Sequence, residues 1–371
     1  MAENPDPCSG CSGTSAPGRV SVQEKAASRA KGKPLLKAVF MGTPDFAATI
    51  LARLLESPIV SVEAAYTQPD RPAGRGRQLR LPPVKELALR HGIPVHQPLN
   101  FRNTPDGDSA VEVLSAYRPD VLLVAAYGLI LPQRVLDIPA MMPINVHASL
   151  LPKYRGAAPI QRSIMSGDTV TGVTIMRMEA GLDTGPILMQ RAVGIGLQDS
   201  SAILHDELAR EGADLLVSAL ERLSAGILQA LPQDEDRASH AAKLSKEEAL
   251  LDFSLDARSL HARIRGLTPW PGATMKLRRK GQDELVVHVE PGVFPQTADI
   301  HDCLQSSGSD GSGKAGSIVG VCGNMLLVSC NGGTYAFSSL RPAGKKSMDG
   351  KAFFNGYLAG FDEAYFAGAG E

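Results

Sequence analysis

The chain has 371 residues, 43% of them apolar and 21% charged, with a formal net charge of −1. That is enough apolar material for more than one hydrophobic core, and two folded domains are the default expectation. The balanced charge excludes a global field that would draw in a polyanion, so any nucleic-acid contact must rest on local basic patches. The longest apolar runs, such as Val121–Tyr127 and Leu326–Val328, are far shorter than a bilayer demands, so no membrane span is expected. Five cysteines, Cys8, Cys11, Cys303, Cys322 and Cys330, form an odd, scattered set that does not suggest a disulfide framework. Cys8 and Cys11 make a C-x-x-C pair, but no second pair or His cluster completes a zinc site, and a solvated tail is the better reading.

Residues 1–34 are rich in Gly, Ser, Ala and Pro, lack apolar periodicity and lead into a Lys/Arg-weighted stretch. This reads as a disordered leader, with the composition either of an organelle transit segment or of a plain unstructured extension. From residue 35 to 228 short apolar runs alternate with amphipathic stretches, which signals βαβ units and a mostly parallel, Rossmann-like sheet. Strands are expected at Lys37–Met41, Val60–Thr67, Val121–Ala125, Ile144–Val146, Thr171–Met178 and Ile187–Val193. Helices are expected at Phe46–Leu55, Val84–His91, Asp108–Tyr117, Ala158–Ser166 and Ala202–Leu223. Residues 229–246 are polar, carry Asp234-Glu235-Asp236-Arg237 and read as a linker. Residues 247–371 hold a helix at Leu255–Gly266 and short runs at Ala273–Leu277, Leu285–Val289, Ile318–Val321, Met325–Ser329 and Tyr335–Leu340. These suggest a small antiparallel, OB-like β-barrel. Gln305–Gly316, rich in Ser and Gly, reads as a flexible inserted loop.

The strand–turn–helix at Met41-Gly42-Thr43-Pro44-Asp45-Phe46 fails as a dinucleotide fingerprint. Only one glycine is present, and Pro44 and Asp45 stand where a pyrophosphate wants free N–H groups and no negative charge. More informative is the segment Ile144–Pro159. On a strand, Asn145 and His147 project from one face, so a carboxamide and an imidazole point together at the carboxyl edge where open α/β sheets bind ligands. Such a pair on a buried strand is more often a satisfied core group. Asp183, bracketed by Gly181 and Gly185, adds a carboxylate at a turn between two strands, where an Asx-type role is the plain alternative.

The blocks Gly42–Phe46, Thr67–Gly76, Ala126–Pro132, Asn145–Pro159, Thr171–Met176, Gly181–Pro186 and Lys243–Ala249 resemble the methionyl-tRNA formyltransferase family, and the resemblance runs from about Leu35 into the C-terminal region. It implies a Rossmann-type catalytic domain joined to a C-terminal barrel that helps to hold tRNA. It implies a catalytic trio at Asn145, His147 and Asp183, and a folate loop at Ser149, Leu150, Leu151 and Pro152. The donor would be 10-formyltetrahydrofolate and the acceptor methionyl initiator tRNA. One departure stands out: the family usually has glycine after the histidine, and this chain has Ala148, whose methyl could narrow the pocket but need not disturb residues facing the other way.

Formyl transfer between nitrogens passes through a tetrahedral carbon with a developing oxyanion, which Asn145 and His147 could stabilise while Asp183 handles the proton. No Ser-His or Cys-His nucleophile signature is visible, and no H-E-x-x-H spacing, so neither a covalent intermediate nor a metal is expected. Arg71, Arg75, Arg77 and Arg80 lie in one Gly-containing segment suited to phosphate contact, and the resemblance points most directly at Arg75. Lys276 and Arg278 add a basic strand in the second domain, with Lys345 and Lys346 as a smaller cluster. Trp270 reads as packing first and base stacking second. Another folate-dependent formyltransferase or hydrolase would share the trio but not need the arginine segment, whereas a non-catalytic RNA-binding module would not need the trio. Monomer is the default state. A mitochondrion or plastid is the expected location in a eukaryotic host, and the cytoplasm in a bacterial one.

Overall fold

The computed structural model describes residues 35–73, 78–292, 313–361 and 363–368. The leader with Cys8 and Cys11, the tip of the arginine segment with Arg75 and Arg77, Cys303, and the stretch Gln305–Gly316 save its last four residues lie outside the described residues.

The short apolar runs pair into a seven-stranded sheet in the spatial order Ile187–Gly194, Val170–Arg177, Met142–His147, Val121–Ala125, Leu36–Gly42, Val60–Tyr66 and Val95–His96. The last five are mutually parallel, and the first two join through antiparallel ladders. Val121–Ala125 is buried at every position, as a strand covered on both faces should be. Helices Asp45–Leu55 and Ser201–Ser224 cover one face in a core that includes Phe40, Ile50, Leu54, Val146, Leu208 and Leu216. Helix Pro105–Ala116 contributes Leu114 to a second core on the other face, with Tyr66, Phe101 and Tyr127. From Leu36–Gly42 the chain moves outward to one edge and then returns to the opposite side of that strand, so the strand ends beside it form a switch-point crevice.

The C-terminal region is wholly antiparallel in its named ladders. Leu340–Pro342, Leu285–Val289, Ala273–Arg279 and Ala364–Ala367 form one sheet, and Ile318–Cys322, Met325–Cys330 and Gly333–Phe337 another. An isolated bridge from Ser317 to Tyr365 links them, and one core holding Met275, Val328, Tyr335, Phe337 and Phe366 serves both. The run expected at Tyr335–Leu340 breaks into two strands belonging to different sheets. Cys322 is disulfide-bonded, whereas the odd, scattered set of cysteines suggested no disulfide framework. Cys330 is free and buried, and burial pushes its thiol up to about 11.

Helix Ala257–Leu267, capped by Asp256, packs into the C-terminal core and joins it to the loop after Ile187–Gly194. Arg265 donates to the carbonyls of Gly196 and Asp199 at 2.9 Å each. His261 is buried, with Nε2 2.7 Å from the Leu197 carbonyl and Nδ1 2.8 Å from the Tyr335 hydroxyl. A carbonyl only accepts, so Nε2 carries the hydrogen and the neutral ring accepts from tyrosine at Nδ1. No helix among the described residues is long and apolar enough to cross a membrane.

Burial lowers the pKa of His261 below its ordinary 6.5. The folded state therefore binds fewer protons than the unfolded one as pH falls, so stability held above about pH 6.5 drains away below it. Thermal denaturation should show the midpoint declining from about pH 7 to about pH 5, with a shallower decline in His261→Gln. Equal slopes in the two proteins would remove His261 as the cause.

Candidate active site

Asn145 and His147 close the strand Met142–His147, two positions apart and on one face. The Asn145 side chain is half-buried and makes no hydrogen bond among the described residues, which leaves its amide free to donate. His147 is buried, and its Nε2 lies 2.9 Å from the Tyr154 carbonyl. Nε2 is therefore the N–H. The other ring nitrogen, Nδ1, faces Asp183 Oδ2 at 3.7 Å, an ion-pair distance longer than a direct hydrogen bond.

Asp183 reaches that position from the loop between Val170–Arg177 and Ile187–Gly194, with φ +54°. Asp and Asn are the non-glycine residues that visit this left-handed region most readily. Its Oδ2 accepts a 2.8 Å hydrogen bond from the Gly156 N–H. The carboxylate thus spans to another segment instead of only closing its own turn. Gly156 itself has φ +124°, and a Cβ there would stand 2.7 Å from the Ala241 carbonyl. Only glycine meets both demands.

The segment after His147 is held by the neighbouring antiparallel strands. Thr174 Oγ1 donates to the Ser149 carbonyl (2.7 Å) and accepts from the Leu151 N–H (3.1 Å), while Gln190 Nε2 donates to the Leu151 carbonyl (2.8 Å). Ser149 is fully buried and spends its hydroxyl on the Lys153 carbonyl at 2.6 Å, so its side chain shapes the loop from beneath. Leu150, Leu151 and Pro152 line a cavity of about 460 Å³ with Lys153, Gln190 and Arg237. Ala148 packs into the main hydrophobic core. Its methyl therefore leaves the face carrying Asn145 and His147, and the narrowing considered from sequence does not arise.

Residues 36–220 match the family model described as formyl transferase, and residues 243–358 match that of the formyl transferase C-terminal domain. A methionyl-tRNA formyltransferase of Nitratidesulfovibrio vulgaris strain DP4 is 50% identical over 87% of this chain and 94% of its own length. One from Ectopseudomonas mendocina is 46% identical over 86% and 94%. The chain belongs to the methionyl-tRNA formyltransferase family. Among solved structures, HypX from Aquifex aeolicus in complex with tetrahydrofolic acid matches with a TM-score of 0.54 at 17% identity, over 88% of this chain and 48% of that one. The sugar 3N-formyl transferase WlaRD matches with a TM-score of 0.50 at 15% identity, over 85% and 100%. These two likenesses show the shared fold.

The family's arginine segment takes the form of a two-stranded ribbon, Arg71–Ala73 against Gln78–Arg80. Arg71 pairs directly with Arg80, and both are exposed. Arg71 Nη2 donates to Gln68 Oε1 at 2.8 Å. In the C-terminal region Lys276 and Arg278 share the two oxygens of Glu284 at 3.0 Å each, so that basic strand is partly neutralised. Trp270 is half exposed. Residues that sequence reading passed over are Thr174, Gln190, Arg155 and Gln233. The first two are cross-strand partners, a signal that exists only once the register is known.

Gly156→Ala should shift the Asp183 anchor and destabilise the fold by about 1–3 kcal/mol, the usual scale for a strained backbone position. Denaturant unfolding measures it, and a change under about 0.5 kcal/mol would mean that the loop relaxes freely.

Proposed function

We propose that this chain transfers the formyl group of 10-formyltetrahydrofolate to the α-amino group of methionyl initiator tRNA, with Asn145, His147 and Asp183 as its catalytic residues. The observation that carries the reading is the approach of Asp183 to His147 at the end of the strand bearing Asn145, in a chain of this family. Residues 35–228 form the catalytic domain, 229–246 the connection and 247–371 the tRNA-holding domain.

The amine nitrogen bonds to the formyl carbon, the carbon–N10 bond breaks, and the proton lost by the amine ends on N10. An α-amino group with a reference pKa of about 7.7–8.0 is partly protonated near neutrality, so a proton acceptor must meet it. Asp183 is suited to this. Oδ2 is engaged by Gly156, whereas Oδ1 has no hydrogen bond among the described residues and can take the proton. Asn145 donates to the oxyanion of the tetrahedral carbon, and His147 adds positive potential once protonated at Nδ1. Leu150, Leu151 and Pro152 form a wall for the folate, with Ser149 supporting it.

Arg71 and Arg80 lie opposite each other across the ribbon, an arrangement that costs energy through like-charge repulsion. A phosphate between them relieves it, which supports Arg71, Arg75, Arg77 and Arg80 as the acceptor-stem contact. Lys276 and Arg278 contribute backbone contacts where a phosphate displaces Glu284. Acting as a monomer, the protein works beside ribosomes that begin on formylmethionine, in a bacterial cytoplasm, a mitochondrion or a plastid.

The test supplies charged initiator tRNA and 10-formyltetrahydrofolate and looks for formylmethionine on the tRNA. Absence of product with active reagents sinks the proposal. Asp183→Asn should lower kcat by about 10²–10⁴-fold while tRNA binding persists. Arg75→Glu should raise KM for tRNA and flatten its salt dependence with folate binding unchanged, and parallel loss of both substrates would contradict this division.

A further inference from the structure

The polar segment after residue 228 does more than connect. Leu231 and Ile187 exchange backbone hydrogen bonds at 2.8 Å in each direction, which brings the segment alongside the strand that leaves the Asp183 loop. His240–Ala241 then adds a parallel two-residue strand to Arg155–Gly156, and Ser239 Oγ accepts from the Tyr154 N–H at 2.9 Å. Between these fixed points lies Gln233. Its Nε2 donates to two carbonyls of the turn, Asp183 at 2.8 Å and Gly185 at 2.7 Å. Its Oε1 accepts from Arg155 Nε at 3.1 Å and Nη2 at 2.8 Å.

An amide can be turned either way, but here only one orientation is possible. A guanidinium only donates and a carbonyl only accepts, so the oxygen must face Arg155 and the NH₂ must face the turn. Arg155 is nearly buried and is held by Glu235 through two 2.8 Å contacts. The Glu235 pairing raises the pKa of Arg155 further. Asp183 is thereby gripped at both ends, its carboxylate by Gly156 and its carbonyl by Gln233. Both grips act on a residue whose φ is +54°.

We propose that Gln233 is a positioning residue: by clasping the carbonyls of Asp183 and Gly185 it sets the Asp183 carboxylate against His147. The inference rests on the catalytic reading of Asp183, and it gives the segment 229–246 a part in the chemistry. The carboxamide of glutamine offers two hydrogens on one nitrogen and an acceptor at the other tip, the set this site uses. Glutamate would keep Arg155 but turn an oxygen toward two carbonyls. Methionine would keep the length and lose every bond.

The test compares the full-length protein with Gln233→Met, Gln233→Glu, Asp183→Asn and the double variant Gln233→Met/Asp183→Asn. Gln233→Met should lower the single-turnover formylation rate on the order of 10–100-fold, the scale of a displaced supporting group, with KM for both substrates little changed. The double variant should be no slower than Asp183→Asn, because the two changes remove one device. A rate within twofold of the parent, or losses that multiply in the double variant, overturns the proposal. Imidazole NMR signals of His147 provide a readout that needs no turnover. In Gln233→Met they should move toward those of Asp183→Asn, and unchanged signals also overturn it. If the parent fails to formylate, the functional reading falls while the NMR comparison still judges the clasp. Should Gln233→Met not fold, as thermal denaturation would reveal, Gln233→Glu takes its place in every arm.

Discussion

One backbone carbonyl governs how the site is disposed. Tyr154 takes the Nε2 hydrogen of His147, and by doing so decides which nitrogen is turned toward Asp183. A side chain could have rotated to accommodate either tautomer, but a carbonyl cannot donate. Tyr154 is itself fixed on three sides: its backbone adopts φ +64°, its N–H reaches Ser239, and its phenol donates to Asp168 Oδ2 at 2.7 Å. The imidazole is oriented by a loop that is tied to a strand edge and to the polar connection at the same time.

Around that loop the sheet supplies rigidity. Thr174 stands opposite His147 in the antiparallel ladder, and its hydroxyl sits between the Ser149 carbonyl and the Leu151 amide. Beneath, Val146 and Ala148 alternate into the main core, so the strand that presents Asn145 and His147 is seated by its other face. Side chains on a strand end backed by a filled core lose little freedom when a ligand arrives, which is what the proposed transfer between two nitrogens needs.

Much of this was legible in the residues. Short apolar runs gave the six strands expected between Leu36 and Val193 within two residues, and the i, i+2 spacing placed Asn145 and His147 on one face. The encounter of Asp183 with His147 was readable only through the family resemblance, since 36 positions separate them and no local pattern reports such a meeting. Strands of two to four residues, such as Val95–His96, His240–Ala241 and Ala364–Ala367, are too short to show alternation. Gln233 and Glu235 sat in a stretch with no apolar periodicity, so it read as linker. Its order comes from hydrogen bonds to distant backbone, and periodicity is blind to those.

The placement of residues 229–246 also bears on how this chain can be divided. One family match ends at residue 220 and the next begins at 243, which invites treating the stretch between as a seam for cutting or grafting. A fragment ending at residue 228 would keep the sheet, the imidazole and the carboxylate, yet would leave the carbonyls of Asp183 and Gly185 and the guanidinium of Arg155 facing water. Exchanging the C-terminal part between relatives would therefore preserve the geometry only if the tether stays with the catalytic half it binds, because heredity of the site follows hydrogen bonds and not the module boundary.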